Sequence, residues 1–286
     1  MKLDPQKVSF IIKNALAEDI GTGDITAMNL ISPTLRTSAR IIAKEQCIVA
    51  GLPVARQAFK YLDKRCVWRA KYKDGSLVKK GKTIATISGL ARAVLSGERT
   101  ALNFLSRMSA VATLTKKYVK RISKYKAEIY DTRKTIPGLR ILDKYAVVCG
   151  GGMNHRMGLY DMALVKDNYL SIYENGRIPK NQLVSALKTK LPYGMKIEIE
   201  AENIRDVELG IMNNANIIML DNMDIKTIKK AVKLIRKSKK PIEIEISGGV
   251  NLKKLERVAR TGADRISIGA ITHSPQSIDF SLEINK

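Results

Sequence analysis

Short apolar runs alternate with amphipathic segments along the second half of the chain. From about residue 127 the apolar runs are AEIYDT, MALVKD, MKIEIEAEN, ANIIMLDN, PIEIEISGG and ADRISIGA. Between them lie segments with apolar residues at helical spacing, such as LRILDKYAVVCG, KNQLVSALKTKL and LKKLERVARTG. Parallel strands need a crossover connection, and a helix is the usual one. The pattern therefore predicts six strand–helix units that form a parallel sheet.

Charged residues or glycines follow each apolar run on its C-terminal side. They are Arg133 and Lys134, Lys166 and Asp167, Glu200 and Glu202, Asp221 and Asn222, Ser247 to Gly249, and Ser267 to Gly269. In α/β barrels this edge of the sheet carries the active site, although a doubly wound sheet also places ligands there. We expect the sheet to close into a barrel with a site at this edge.

The first hundred residues lack this alternation and predict a separate α+β domain. A helix is expected from Pro5 to Ala17, and strand-like segments cover residues 37–51, 65–72 and 83–89. A long helix, roughly from Arg92 through Lys120, then leads to the barrel. Its apolar stripe indicates that most of it is structural.

The excess of basic residues changes this picture little. The 286 residues include 51 basic and 27 acidic side chains, a formal charge of +24. Much of the excess lies in amphipathic segments such as KTIKKAVKLIRKSKK, where Ile228, Ala231, Val232 and Ile235 recur at helical spacing and predict a solvated helix face. Zinc-finger spacing is absent and aromatic residues make up only 5%, which argues against nucleic-acid binding.

Cysteine use and hydropathy point to the cytoplasm. Cys47, Cys66 and Cys149 are widely spaced without a CxxC pair, and the first twenty residues have acids where a signal peptide needs an apolar run. No apolar run reaches the roughly 18 residues of a membrane helix. We expect a cytoplasmic protein that does not enter membranes.

The segment from Asp131 to Asn168 has the composition of an anion site. Arginine offers a planar fork that matches carboxylates and phosphates, and lysine adds a mobile charge. The basic residues of the segment are Arg133, Lys134, Arg140, His155, Arg156 and Lys166. Carboxylates at the ends of neighbouring strands, Glu200 and Asp221, favour Mg²⁺. The turns SGG and SIGA after the last two strands predict phosphate cradles, although glycine after a strand is most often only a turn.

Eight separated blocks make the chain resemble quinolinate phosphoribosyltransferase, also called nicotinate-nucleotide pyrophosphorylase (carboxylating). They are EDIGTGDIT, SGERTALNFLSRMSAVATLT, the run DTRKTIPGLR with KYAVVCGGGMNHRMGL and ALVKDN, then IEIEAEN, IMLDN, EISGGV and ISIGA. The resemblance implies an α/β protein with an N-terminal α/β sandwich domain and an incomplete TIM-like α/β barrel. The implied domains are residues 1–109, with 275–286 returning to them, and residues 110–274.

The resemblance also implies a reaction. Quinolinate and 5-phosphoribosyl 1-diphosphate, with Mg²⁺, would give nicotinate mononucleotide, pyrophosphate and CO₂, a step of de novo NAD synthesis. The implied assembly is a homodimer with shared active sites, or a higher oligomer, in which Arg99 of one subunit reaches a quinolinate carboxylate in the other.

Position in these blocks gives the remaining residues their expected roles. Thr132, Arg133, Lys134, His155 and Arg156 would form the dicarboxylate pocket, and Lys166 would lie between quinolinate and the phosphoribosyl donor. Glu200 and Asp221 would hold the ribose hydroxyls and Mg²⁺. The 5-phosphate would bind Ser247, Gly248, Gly249, Ile268, Gly269 and Ala270. Lys134, Lys166, Glu200 and Asp221 are the expected catalytic residues.

Two alternatives stay open from the sequence. A paralogue of the molybdenum-locus type would act on another anionic heterocycle, and a basic nucleic-acid-binding protein would have no catalysis. Tyr169 stands where the family often has histidine, so a role for a histidine there is not carried over. Glu198, Glu200 and Glu202 share one face of their strand, and the sequence does not decide which of them meet a ligand.

Overall fold

The computed structural model describes residues 1–166, 168–169, 179 and 182–285. The helices are α1 (Pro5–Ile20), α2 (Ile25–Leu30), α3 (Leu52–Leu62), α4 (Ala91–Arg121), α5 (Arg140–Cys149), α6 (Leu183–Lys188), α7 (Ile204–Met212), α8 (Ile225–Lys237), α9 (Leu255–Ala259) and α10 (Ala270–His273). The strands are β1 (Arg36–Ala43), β2 (Cys47–Ile48), β3 (Val67–Ala70), β4 (Leu77–Val78), β5 (Thr83–Leu90), β6 (Glu128–Tyr130), β7 (Ala163–Val165), β8 (Ile197–Ala201), β9 (Ile217–Asp221), β10 (Glu243–Ser247), β11 (Arg265–Ser267) and β12 (Phe280–Ile284).

The described residues form two compact units. Unit 1 contains residues 1–117, 135–152 and 271–286, and unit 2 contains residues 118–134 and 153–270. The domain limits predicted from the sequence stay a prediction, and the units differ from them because residues 110–117, 135–152 and 271–274 fall in unit 1. Residues 135–152, which include α5, belong with unit 1 because α5 makes buried polar contacts there.

Unit 1 is built on an antiparallel sheet in the order β12-β1-β5-β3. The end of the chain supplies its edge strand, since Ala39 of β1 pairs with Ile284 of β12 and Ala43 pairs with Phe280. Among the helices of this unit, α1 buries Val8, Ile12 and Leu16. The predicted α+β character of this part of the chain is confirmed.

Unit 2 is a parallel sheet in the order β6-β11-β10-β9-β8-β7. A bridge between Tyr130 and Met153 extends the series beyond β6. In a closed barrel the first strand would meet the second, but β6 and β7 lie at opposite ends of this sheet among the described residues. The predicted fold class, an α/β sandwich followed by an incomplete TIM-like barrel, is confirmed.

Side chains on each barrel strand alternate between the helices and the barrel interior. On β8, Ile197 and Ile199 are buried against the helical layer, whereas Glu198 and Glu200 point inward and are also buried. Helix α8 buries Ile228, Ala231, Val232 and Ile235 and leaves its lysines exposed. The sequence predicted this face of α8 correctly. None of the described helices combines the length and apolar character needed to cross a membrane.

The first hundred residues differ in detail from the elements that the sequence predicts. The segment 37–51 is not one strand: it breaks after Ala43 and resumes as β2. Helix α2 was not predicted; Asp24 caps it by accepting a hydrogen bond from Ala27 N at 2.9 Å. Helix α3 was not predicted, although its buried residues follow helical spacing. For the predicted helix 180–191, residues 180 and 181 lie outside the described part and α6 covers Leu183–Lys188.

An ion pair anchors α5 inside unit 1. Both guanidinium nitrogens Nε and Nη2 of Arg107 donate to the Asp143 carboxylate, at 3.0 and 2.9 Å, and Arg107 also donates to Thr272 O. The Asp143 side chain is fully buried and that of Arg107 is 20% exposed. Loss of one partner would leave the other charge in the protein interior, which is more costly than loss of an exposed pair.

We therefore expect Asp143→Ala to lower the free energy of unfolding by about 3 kcal/mol. The measurement is the midpoint of denaturant unfolding. Glu283→Ala, which removes the partner of the exposed Arg40, is the matched control and should shift the midpoint little. Equal shifts for the two variants would contradict the assignment of Arg107–Asp143 as an anchoring pair.

Candidate active site

The C-terminal ends of the barrel strands gather charged side chains at one edge of unit 2. Arg133 and Lys134 follow β6, Lys166 follows β7, and Glu200 and Asp221 lie near the ends of β8 and β9. Parallel strands end at the same edge, so these residues come from distant parts of the sequence to one region. Asp167, named with Lys166 in the sequence analysis, lies outside the described residues.

The acidic side of this edge is preorganised by a lysine. Lys166 Nζ donates to Glu200 Oε2 at 2.5 Å, and the Glu200 side chain is only 5% exposed. Single carboxylate oxygens of Glu200, Glu202 and Asp221 lie within 4.8 Å of one another. Such a group of oxygens suits a hard divalent cation, so the residues present fit Mg²⁺.

A short loop is fastened to the end of β6 by backbone hydrogen bonds. Met153 N donates to Ile129 O at 2.7 Å, and Asp131 N donates to Met153 O at 3.1 Å. The buried Asp131 carboxylate accepts from His155 N at 2.8 Å. These contacts bring the motif NHR beside DTRK, and so bring Arg156 towards Arg133.

The His155 imidazole points into the barrel interior. Its Nε2 lies 3.1 Å from Glu198 Oε2 and 3.4 Å from Glu245 Oε1. Burial lowers the pKa of His155, whereas the two neighbouring carboxylates raise it. The other nitrogen, Nδ1, accepts a hydrogen bond from Arg156 N at 2.8 Å, and a protonated Nδ1 could not do so. This hydrogen bond places the ring proton on Nε2.

Two guanidinium groups lie near each other at the mouth of the barrel. Burial lowers the pKa of Arg156, and the positive charge of Arg133 lowers it further. Arg156 Nη1 donates to Met162 O at 3.0 Å, which holds the side chain in place. Two neighbouring cations in a part-buried setting repel each other, and an anion that contacts both of them lowers this repulsion. The arrangement therefore suits a ligand with more than one negative group.

The turn SGG after β10 has a conformation that requires glycine. Gly248 has φ of +88°, and a Cβ atom there would lie 2.6 Å from the backbone N of Asn222. Gly249 has φ of +60° but open space around it. Asn222 N donates to Ser247 O at 3.2 Å, which joins this turn to the end of β9. In this turn the backbone of Gly248 lies close to that of Asn222, and the same turn is a candidate phosphate cradle.

The predicted cradle after β11 is smaller than expected. Ile268 is buried and its N–H donates to Tyr130 O at 3.0 Å, so that N–H is not available to a phosphate. The roles expected for Gly269 and Ala270 stay predictions. Ser267 Oγ, from the same strand, donates to Glu245 Oε1 at 2.5 Å.

The remaining predicted residues fall in different places. Thr132 Oγ1 accepts from Lys134 N at 3.0 Å, which shapes the turn that presents the exposed Lys134. Arg99 belongs to unit 1, where it is exposed on α4. Arg140 also belongs to unit 1, and its Nε donates to Thr135 Oγ1 at 3.0 Å.

Sequence reasoning missed part of the site. The sequence placed Glu202 on one face with Glu198 and Glu200 and left open which of them meet a ligand, and the structure places Glu202 in the acidic group. The contacts of Glu198 and Glu245 with His155 were missed. They join β8 and β10, which have no sequence signal of proximity to NHR.

Two family profiles cover most of the chain. The profile described as "Quinolinate phosphoribosyl transferase, N-terminal domain" matches residues 24–109, and the one described as "Quinolinate phosphoribosyl transferase, C-terminal domain" matches residues 111–283. The chain belongs to the quinolinate phosphoribosyl transferase family. Within this family it is 44% identical over 270 residues to a "Probable nicotinate-nucleotide pyrophosphorylase [carboxylating]" of Synechocystis, covering 94% of this chain and 90% of that protein.

Solved structures agree with this membership. The nicotinate-nucleotide pyrophosphorylase of Francisella tularensis is similar with a TM-score of 0.92 and 38% identity, covering 99% of this chain and 98% of that one. A protein from Ehrlichia chaffeensis of the same name has a TM-score of 0.90 and 38% identity and covers 100% of both chains. Human nicotinic acid phosphoribosyltransferase, at 12% identity and a TM-score of 0.66 over 100% of this chain and 75% of that one, shares the fold alone.

The geometry of the SGG turn generates a prediction. Gly248→Ala should lower the free energy of unfolding by about 1 to 3 kcal/mol more than Gly249→Ala, because only the first adds a clash with Asn222 to the strain of a positive φ. Thermal unfolding of the two variants measures the difference. Equal destabilisation by both would show that the close approach to Asn222 does not constrain the turn.

Proposed function

We propose that this protein transfers the phosphoribosyl group of 5-phosphoribosyl 1-diphosphate to quinolinate at the mouth of the barrel. The products are nicotinate mononucleotide, pyrophosphate and CO₂, and the reaction supplies NAD synthesis. The observation that carries the proposal is the pair Arg133 and Arg156, which the hydrogen-bonded loop beside β6 brings near each other. Family membership supports the same reaction.

Quinolinate binds in the basic half of the site. Its two carboxylates match the planar donor forks of Arg133 and Arg156, which relieves the repulsion between these cations. Lys134 and Thr132 complete this half beside β6. A monocarboxylate would leave one of the two guanidinium groups without an anion. The pair therefore favours quinolinate over nicotinate, the substrate type expected of a related phosphoribosyltransferase.

The phosphorylated sugar binds in the acidic half and at the late turns. Glu200 and Asp221 accept hydrogen bonds from the ribose hydroxyls, and the turn Ser247–Gly249 receives the 5-phosphate with Gly269 and Ala270. Glycine lets the backbone amides of such turns approach an anion closely. Lys166 pairs with Glu200 of the acidic half. In this proposal its ammonium group also serves the basic half.

Mg²⁺ is the cofactor that the acidic half would hold, through Glu200, Asp221 and Glu202, directly or through water. When bound, it neutralises negative charge on the phosphate oxygens. Carboxylate oxygens within 4.8 Å of one another support this assignment. The family resemblance supports it as well.

The side chains mainly position the reactants and neutralise charge. As the C1–O bond to pyrophosphate breaks, positive charge builds on the ribose, and Glu200 and Asp221 stabilise it. Lys134 and Lys166 stabilise the departing oxygens while the pyridine nitrogen attacks C1. The alkylated ring nitrogen is cationic, so its charge stabilises the electron pair that stays on C2 when the 2-carboxylate departs as CO₂. A proton then replaces that carboxylate on the ring, and decarboxylation follows transfer.

The active unit is a homodimer with shared sites. Arg99 is exposed on α4, and no ion-pair partner is seen for it among the described residues. A partner subunit's copy of this residue would then add a third arginine to the dicarboxylate pocket. The three cysteines are free thiols, which supports a reducing cytoplasm as the compartment.

The first experiment is the assay with quinolinate, 5-phosphoribosyl 1-diphosphate and Mg²⁺, with nicotinate mononucleotide and CO₂ as readouts. Arg133→Ala should raise the KM for quinolinate by about a hundredfold, since a charged hydrogen bond worth about 2 to 3 kcal/mol is lost. Thermal unfolding should change little. Lys229→Ala, on the exposed face of α8, is the charge-matched control and should behave like the wild type.

Three results would contradict the proposal in different ways. Product from nicotinate but none from quinolinate would favour the related phosphoribosyltransferase. Tight, steeply salt-dependent binding of duplex DNA without turnover would favour a nucleic-acid-binding role. Full activity after chelation of divalent cations would refute the assignment of Mg²⁺.

The shared site is tested by complementation. At a quinolinate concentration near the wild-type KM, Arg99→Ala and Arg133→Ala should each be nearly inactive alone. After random exchange of subunits, half the dimers are mixed and each has one intact site, so activity should return to about a quarter of the wild-type value. The control mixes Arg133→Ala with Lys166→Ala, which removes residues of the same barrel and should restore nothing. No recovery in the first mixture would refute the role of Arg99 across the interface.

A further inference from the structure

Two buried carboxylates under the proposed quinolinate pocket have no role in the reaction described above. The side chains of Glu198 and Glu245 are fully buried inside the barrel. Both approach one atom, His155 Nε2, at 3.1 and 3.4 Å. Neither contact is a well-aligned hydrogen bond, and Nε2 lies close to both carboxylates at once. The three side chains form a carboxylate–imidazole cluster, defined as His155, Glu198 and Glu245.

The buried carboxylates of this cluster are not expected to stabilise the barrel. Glu198 has no further hydrogen-bond donor among the described residues, and the neighbouring cation Arg265 is hydrogen-bonded to Glu243. Burial and the negative charge of Glu245 raise the pKa of Glu198. Apolar residues of similar volume often stabilise such a position as well or better. The carboxylate therefore calls for an explanation other than stability.

The orientation of the His155 imidazole fixes the backbone N–H of Arg156. With Nε2–H directed at the carboxylates, the lone pair of Nδ1 is left to accept Arg156 N–H at 2.8 Å. The backbone of His155 is fixed separately, since its N–H donates to Asp131 at 2.8 Å. The backbone N–H groups of His155 and Arg156 therefore both donate to side chains. This backbone geometry, together with the hydrogen bond to Met162 O, sets the direction of the Arg156 side chain.

We propose that Glu198 and Glu245 are positioning residues for quinolinate binding, which act through the His155 ring to fix the Arg156 backbone. The inference rests on the proposed function, because that function assigns Arg156 to the dicarboxylate pocket. It also gives His155 a different task from direct contact with quinolinate. Both ring nitrogens are engaged with protein atoms, so the ring supports the pocket from below.

Substitution of Glu198 separates positioning from stability. Glu198→Leu removes the acceptor, so Arg156 loses its fixed direction and the KM for quinolinate should rise about tenfold to a hundredfold. The KM for 5-phosphoribosyl 1-diphosphate should stay within about twofold, and the thermal midpoint should not fall. Glu198→Gln keeps an acceptor oxygen and should lie much closer to the wild type.

A second inward-facing carboxylate provides the matched control. Glu243 lies two residues before Glu245 and pairs with Lys196 and Arg265 instead of His155. Glu243→Gln should leave both KM values unchanged. An unaltered quinolinate KM in Glu198→Leu would overturn the inference. A parallel rise in both KM values with a lowered thermal midpoint would also overturn it, since that is the signature of a structural role.

Variants of His155 test which nitrogen matters. An asparagine oxygen can take the place of Nδ1, whereas a glutamine amide reaches only the place of Nε2. His155→Asn should therefore keep a lower quinolinate KM than His155→Gln. The reverse order would mean that Nε2 itself serves the substrate, and it would overturn the inference.

The ring proton can be observed without substrate. The chain has only two histidines, so ¹⁵N-histidine spectra of the protein and of a His273→Gln variant assign the His155 signals. We expect a pyridine-like Nδ1 and a protonated Nε2 near neutral pH. Protonation of both nitrogens would overturn the inference, because Nδ1 could not then accept. Absence of wild-type turnover would instead refute the proposed function, and the spectra would still report on the cluster.

Discussion

Parallel pairing is the constraint on which the rest of unit 2 depends. Because neighbouring strands run in the same direction, their C-terminal ends meet at one edge, and residues far apart in sequence share a site. The period of two in a strand adds a second consequence. An inward-facing residue at the edge is accompanied by an inward-facing residue two positions earlier, as Glu198 lies below Glu200 and Glu245 lies below Ser247. The polar edge and the polar interior are therefore parts of one arrangement.

The buried carboxylates of the barrel interior differ in how well neighbouring cations neutralise them. Burial raises the pKa of Glu243, but hydrogen bonds from Lys196 and Arg265 outweigh this effect and hold the pKa below its usual value. Arg265 also packs over the Tyr130 ring at 4.8 Å. Glu198, in contrast, accepts no hydrogen bond from a cation among the described residues. This difference points to structural use of Glu243 and to functional use of Glu198.

The sequence predicted what depends on local pattern. The alternation of apolar runs indicated the barrel, and the spacing of Ile228, Ala231, Val232 and Ile235 indicated the buried face of α8, because both patterns follow from backbone geometry. Residues of the site were found where a strand end carried them. Glu245 was not found, since its contact with His155 depends on how β10 meets a loop more than eighty residues earlier, and no local pattern encodes that distance.

The two halves of the proposed site carry opposite electrostatic strains before any ligand binds. Arg156 and Arg133 repel each other, while Glu200 and Asp221 crowd their carboxylates and Lys166 relieves only part of the negative charge. In the proposed reaction, quinolinate would neutralise the first set of charges, and a divalent cation with a phosphorylated sugar would neutralise the second. Ligands that bind only the folded state stabilise it. Because the strands hold these charges in place before binding, the proposed ligands would gain binding energy from the repulsion that they relieve.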